Sequence, residues 1–151
     1  MAKLSAGILL FDRTDGLRAL LVHPGGPFWA RKDAGAWTLP KGEYEPPEDP
    51  ETAARRELAE ETGLVLDDTL IPLGEVTQAG GKRVTAFAAE AAFDPSKLVS
   101  NTFDMEWPPK SGRRQSFPEI DRAAWFDLYM ARMKMIPAQT AFLDRLVDGF
   151  K

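Results

Sequence analysis

Residues 42–64 constrain the chain more than any other stretch, because they place three carboxylates on one face of a short helix with clear ends. The segment runs from Gly42-Glu43-Tyr44-Glu45-Pro46-Pro47-Glu48 through Asp49-Pro50-Glu51 to Glu60-Glu61-Thr62-Gly63-Leu64. Asp49 is a good N-cap, Pro50 suits the first helical position, and Glu51 complements the positive end of the helix dipole. Gly63 can take the left-handed conformation that closes a helix. These signals predict a helix from about Pro50 to Thr62. On it Glu57, Glu60 and Glu61 fall at i, i+3 and i+4, so their carboxylates share one face.

Such clustering is unfavourable unless something neutralises it. Like charges at these spacings destabilise a helix by roughly 0.2–0.5 kcal/mol per pair. Hard divalent cations prefer oxygen ligands, and Mg2+ in particular is held by a few carboxylates together with waters and substrate phosphates. The plainer alternative is a solvated acidic face, partly balanced by Arg55 and Arg56. The flanking residues decide between the two.

The string Gly42, Glu48, Arg56, Glu57, Leu58, Glu60, Glu61, Gly63 and Leu64 matches every fixed position of the Nudix box. With residue usage near 5–7% per type, its seven single-residue positions coincide by chance about once in 10^8 placements or fewer. The chain therefore resembles the Nudix hydrolases, which cut nucleoside diphosphates linked to another moiety. The resemblance implies an α/β fold, a mixed β-sheet sandwiched between α-helices, in one domain spanning 1–151. It implies a Mg2+-dependent pyrophosphohydrolase, with Mn2+ as a substitute ion. Glu57, Glu60 and Glu61 become the metal ligands, joined by the backbone carbonyl of Gly42. Arg56 becomes the residue that orients the carboxylates, and Glu48 is expected to serve similarly through an ion pair with an arginine of the helix, a catalytic role for it staying open.

Two further resemblances point to a branch of the family. Trp37-Thr38-Leu39-Pro40-Lys41-Gly42 is similar to the approach to the box in diadenosine and diphosphoinositol polyphosphate hydrolases, and Lys41 suits a phosphate contact as a point charge. Glu119 precedes Trp125 by six residues, as a loop glutamate does in the diadenosine tetraphosphate branch. That makes Glu119 the expected acid from outside the box, as base or added ligand, with Glu106 as the rival. Lys110, Arg113 and Arg114 form a basic cluster before Glu119, and Arg113 and Arg114 are expected to hold the polyphosphate. The resemblance then breaks. The stacking tyrosine of the diadenosine branch, some 16–18 residues past the box, is replaced here by Gly80-Gly81-Lys82, and the proline marking many ADP-ribose hydrolases is missing too. Phe28, Trp29, Phe103 and Trp107 are left as alternative stacking faces. Nucleoside triphosphates, ADP-ribose or sugar nucleotides, and diphosphoinositol polyphosphates stay open as substrates beside a dinucleoside polyphosphate, as does a non-catalytic sensor.

Composition narrows the rest. A net charge of −4 argues against a general nucleic-acid surface, and the absence of cysteine excludes thiolate metal sites and cysteine nucleophiles. No apolar run approaches a membrane span and no signal peptide is visible, so the expected setting is cytoplasmic, with a small nucleotide as partner and the chain a monomer or homodimer. Alternation predicts strands over Lys3–Phe11, Leu17–His23, Ile71–Thr77, Arg83–Phe93 and Ala123–Phe126, with a short one over Trp37–Leu39. Pro24–Ala36 and Asn101–Phe117 read as loops. Pro137–Phe150 reads as an amphipathic helix with Phe142, Leu143, Leu146 and Val147 inward. The lone His23, at a strand end, is read as structural.

Overall fold

Apolar residues on both faces of the first strand dictate a buried, two-sided sheet. In the computed structural model, which describes residues 3–150, β1 (Leu4–Asp12) has seven consecutive buried residues at its centre. Ala6, Ile8 and Leu10 pack into one core with Ala53, Ala54 and Leu58 of α1 (Pro50–Thr62). Leu9 and Phe11 point the other way, into a core with Phe142, Leu143 and Leu146. Near-continuous hydrophobicity is what a strand covered on both faces requires.

The main sheet has six strands. Its order is β4 (Ile71–Thr77), β5 (Arg83–Glu90), β1, β2 (Arg18–Pro24) and β8 (Ile120–Asp127), with β3 (Lys41–Tyr44) paired to β1. β1 runs parallel to β5 and antiparallel to β2 and β3, so the sheet is mixed. One edge of β1 is divided. Its end, Phe11 and Asp12, pairs with β2, whereas Leu4 to Gly7 pair with β3. The strands splay between these stretches, and residues 38–40 fill the gap through Val22 N–H to Thr38 O and Ile8 N–H to Pro40 O. This split brings β3, and with it Gly42, against α1.

α1 covers one face of the sheet, and α2 (Leu128–Lys134) with α3 (Thr140–Asp148) the other. The chain therefore has the mixed α/β sandwich expected. Several details differ from the sequence reading. Trp37–Leu39 forms isolated bridges to Val22 and Met135, and the strand proper begins at Lys41. α2 was not anticipated: it is seven residues long, capped by the Asp127 side chain accepting from Met130 N–H, and buries only Ala131 completely. Asn101–Phe117, read as a loop, folds mostly into a hairpin of β6 (Thr102–Glu106) and β7 (Arg114–Pro118), which form a separate two-stranded sheet. Alternation of Phe103 and Met105 with Thr102, Asp104 and Glu106 gives β6 one half-buried face. Prolines and glycine in the hairpin turn obscure that pattern in the sequence.

Candidate active site

The helix ends are built as the sequence signals require. Asp49 accepts from Thr52 N–H at 3.1 Å, and Gly63 adopts φ 78° while its N–H bonds Ala59 O. Because Ala53, Ala54 and Leu58 face the sheet, Glu61 is carried inward with them, to 7% exposure. Glu57 lies partly buried on the same side, against β3. A Cβ on Gly42 would sit 2.0 Å from Glu57 Cδ. Only glycine lets the Glu57 carboxyl touch this stretch of backbone.

Arg56 holds the edge of the cluster. Its Nε and Nη2 donate to the two Glu48 carboxylate oxygens at 3.0 and 2.9 Å, a bidentate pair, and Nη1 donates to Glu57 Oε1 at 3.0 Å. The same Nη1 lies 3.6 Å from Glu60 Oε1. A planar guanidinium gripped on one edge is a fixed reference for the carboxylates on the other. Its bond to Glu48 raises the Arg56 pKa further and lowers that of Glu48.

Electrostatics mark the cluster as short of positive charge. Burial, then Glu57 and Glu119, push Glu61 up to about 8. Glu57 is raised mainly by burial, with Glu60 adding and Arg56 opposing. Lys41, at the start of β3, is pulled down to about 8 by burial and then by the neighbouring Lys82, although Glu43, Glu61 and Glu57 oppose this. Glu61 Oε2 is buried without a hydrogen-bond partner. An orphaned carboxylate oxygen among other carboxylates is suited to a cation. Among the described residues no three acidic side chains already converge into a finished metal cage; Glu57 is turned onto Arg56 instead. A hard cation that takes only one or two carboxylates and fills the rest of its sphere with water and phosphate does not need such a cage. The residues present fit a divalent ion.

Glu119 reaches this cluster from another part of the chain. In the β2–β8 ladder His23 faces Arg122 but Pro24 faces Ile120, so Asp121 is an extra, bulged residue. Bulges bend a strand and re-aim its side chains. Beyond the bulge, Glu119 is fixed by its backbone, its carbonyl accepting from Gly25 N–H and its N–H donating to Asn101 O, both at 2.8 Å. Its charge is felt at both Glu57 and Glu61. Glu106 lies on β6 opposite Arg114 and is not among the leading charges that bear on these two groups. Arg113 and Arg114 are exposed on the hairpin, without an ion pair to the acidic cluster among the described residues.

His23 supports the bulge. It is fully buried, its Nδ1 2.8 Å from Asp121 Oδ1 and its Nε2 2.6 Å from Lys32 O. Trp125 packs into the α1-side core and donates Nε1–H to Phe93 O. Sequence reasoning missed Gln139. Its buried amide accepts from Leu39 N–H and donates to Gln78 and Thr38, tying the segment before Lys41 to the start of α3. No local pattern marks it. Next to Arg56 and Glu48 an open groove of about 990 Å³ runs past Tyr44 and Glu43.

The NUDIX domain family matches residues 1–146. The chain belongs to the NUDIX family. Membership with a complete box makes it a pyrophosphohydrolase, and Nudix hydrolases generally use divalent metal ions. Similar solved structures include a C. elegans Ap4A hydrolase binary complex, 20% identical over 97% of both chains with a TM-score of 0.67. The NUDIX domain of Shewanella oneidensis NrtR, complexed with ADP ribose, is 20% identical over 100% of this chain and 90% of that one, at a TM-score of 0.65. A mutT/nudix family protein from Listeria innocua is 21% identical over 98% of this chain and 93% of its own, at 0.64. Likeness at these identities is a likeness of fold. No match is found among curated proteins. No helix among the described residues is long and apolar enough to cross a membrane.

Proposed function

We propose that this Nudix pyrophosphohydrolase cleaves a nucleoside polyphosphate, a dinucleoside polyphosphate such as diadenosine tetraphosphate being the first candidate. The observation carrying the proposal is that Glu119, placed by its spacing from Trp125, lies close enough to Glu57 and Glu61 to bear on both. Glu57, Glu60 and Glu61 would hold Mg2+, with the Gly42 carbonyl beside them; Mn2+ is chemically a substitute. When bound, such an ion supplies charge neutralisation on the phosphates and a more acidic water.

The chain's own groups do the remaining work. Glu119, exposed at the cluster's edge, accepts the proton of the attacking water as general base. Lys41 meets a phosphate oxygen as a point charge, in a partly buried position where the charge counts for more than in bulk water. Arg56 keeps Glu57 aimed by using Glu48 as its anchor. Arg113 and Arg114 meet the distal part of the polyphosphate from the hairpin.

The test is phosphate release, coupled to a phosphatase where needed, from diadenosine tetraphosphate, nucleoside triphosphates, ADP-ribose and a diphosphoinositol phosphate, with Mg2+ and with chelator. Metal-dependent turnover strongest on diadenosine tetraphosphate supports the proposal. Turnover confined to another class moves the substrate to that class. Nucleotide binding with no turnover in any of them favours a sensor.

A further inference from the structure

We propose that Gln139, which lies across the sheet from α1, is a positioning residue that sets where Lys41 stands. The proposal rests on the reading of Lys41 as a phosphate contact and adds what holds that lysine in place. Gln139 ends the short turn Pro137–Gln139 and leads into α3, whose Phe142, Leu143 and Leu146 pack on the sheet face opposite α1. It is fully buried. A buried amide is unfavourable unless its polar atoms are paired, so the partners of this one matter.

Most of those partners belong to the segment that enters β3, where every backbone N–H and C=O of residues 37–40 is accounted for. Trp37 N–H donates to Lys134 O at 2.9 Å, and the Trp37 carbonyl accepts from Ile136 N–H at 2.8 Å. Thr38 exchanges two bonds with Val22, and Pro40 O accepts from Ile8 N–H. Leu39 is held by side chains instead. Its N–H donates to Gln139 Oε1 at 3.1 Å, and its carbonyl accepts from the Thr38 hydroxyl at 2.9 Å. A backbone N–H can only donate, so the Gln139 carbonyl must face Leu39 and its NH2 the other partners. That NH2 donates to Thr38 Oγ1 at 2.8 Å and to Gln78 Oε1 at 2.7 Å. The amide is thus fully used, in one orientation.

Lys41 follows two residues after Leu39, with little freedom of its own. An added Cβ on Gly7 would lie 2.1 Å from Pro40 O and 2.7 Å from Lys41 Cβ, so the segment is pressed directly onto β1. Gln78 opens the β4–β5 turn, its N–H donating to Lys82 O at 2.7 Å. From that turn Lys82 Nζ comes within 3.9 Å of Glu43 Oε1 on β3. One amide therefore braces the two segments that carry Lys41 and Lys82. Without it the Leu39 N–H is left buried and unpaired, and the segment must shift to reach another acceptor. A displacement of about 1 Å that starts far from the chemistry is enough to cost about 10^2-fold in rate.

Gln139→Met keeps the length of the side chain and removes the amide; Gln78→Met, at a half-buried position, removes only the brace to the turn. Each is made with and without Lys41→Met. Kinetics are read on diadenosine tetraphosphate with Mg2+, and hydrogen exchange of the Lys41–Tyr44 amides on the metal-free protein. Gln139→Met should lower kcat/KM at least about tenfold, but less than about threefold once Lys41 is gone, and its β3 amides should exchange at least about tenfold faster than in wild type. Gln139→Met with wild-type kcat/KM, or the same loss with and without Lys41, overturns the proposal and leaves the hydrolase standing. Lys41→Met with wild-type kinetics overturns it together with the phosphate contact. Should Gln139→Met fail to fold, the same cycle on Gln78→Met decides: a loss of about threefold that vanishes with Lys41 supports the brace, and an unchanged enzyme overturns it. If diadenosine tetraphosphate is not hydrolysed, the proposed reaction fails and exchange alone decides, faster β3 exchange in Gln139→Met supporting the positioning role and wild-type exchange overturning it.

Discussion

Replacing Glu61 with glutamine is expected to stabilise the metal-free protein at neutral pH while impairing its chemistry. Glu61 is buried, and burial together with Glu57 and Glu119 raises its pKa from 4.5 to about 8. A carboxyl raised in this way keeps its proton in the folded chain at pH values where the unfolded chain has released it. The folded state then binds more protons, so its stability falls as pH rises from about 4.5 to about 8, the reverse of a salt-bridged aspartate. Below that window both states are protonated and nothing is lost; above it the cost is constant. Lys41 has the opposite sense and titrates only above about 8, outside the window. Between pH 5 and 7.5 the linkage amounts to about 3 kcal/mol for Glu61 alone. For a chain of this length that is about 6–12 °C in Tm. Glutamine has nearly the same shape and no charge to lose. In chelator, Tm of Glu61→Gln minus Tm of wild type should therefore grow by about 6–12 °C from pH 5 to 7.5. Saturating Mg2+ at pH 7.5 should raise the wild-type Tm and shift the variant much less, because stabilisation by a ligand follows its affinity for the folded state. A difference that stays flat across this pH range, or shrinks, refutes the reasoning.

Gly42→Ala forces a Cβ to within 2.0 Å of Glu57 Cδ, so Glu57 must leave its place; kcat should fall at least about 10-fold, at a stability cost of about 1–3 kcal/mol seen in thermal unfolding. Glu119→Gln should lower kcat at least about 10^2-fold with little change in KM, while Glu106→Gln stays within about threefold of wild type; the reverse pattern in steady-state kinetics would move the external acid to β6. His23→Ala removes a fully buried ring that joins Asp121 to Lys32 O, and should cost about 2–4 kcal/mol in urea unfolding by leaving a cavity behind the bulge. A wild-type Cm in that variant would show that His23 does not support the bulge.

Local rules carried far in this chain where a whole element is encoded in a continuous stretch. Asp49, Pro50 and Gly63 mark both ends of α1 because caps act on adjacent backbone groups, and the i, i+3, i+4 rule then puts Glu57, Glu60 and Glu61 together. The near-continuous apolar run of β1 reports burial on both faces for the same reason. What escaped was short or non-local. The five-residue strands of the hairpin carry two inward residues in β6, too few to stand out beside Pro108, Pro109 and Gly112. α2 buries a single residue completely and so has little of the stripe that identifies a helix. The nearness of Glu119 to α1 depends on a bulge at Asp121, a histidine 98 positions away and a backbone bond to Gly25. Spacing to Trp125 suggested the residue; no sequence rule specifies the bend that aims it. Arg113 and Arg114, close to Glu119 in sequence, make no ion pair to the acidic cluster among the described residues.

The most direct test of the central claim is hydrolysis of diadenosine tetraphosphate by wild type and Glu60→Gln across a Mg2+ titration that starts from chelated protein. Glu60 stands on the shared face of α1 and is the box carboxylate least needed by the fold, being exposed, with a 3.6 Å contact to Arg56 as its one ion pair among the described residues. The account predicts no turnover without the ion, saturable activation in wild type, and kcat lowered about 10^2-fold or more in Glu60→Gln, with its unfolding curve little changed. Turnover that is indifferent to Mg2+, or a Glu60→Gln enzyme within about threefold of wild type at saturating Mg2+, would contradict a metal-dependent site on this helix face.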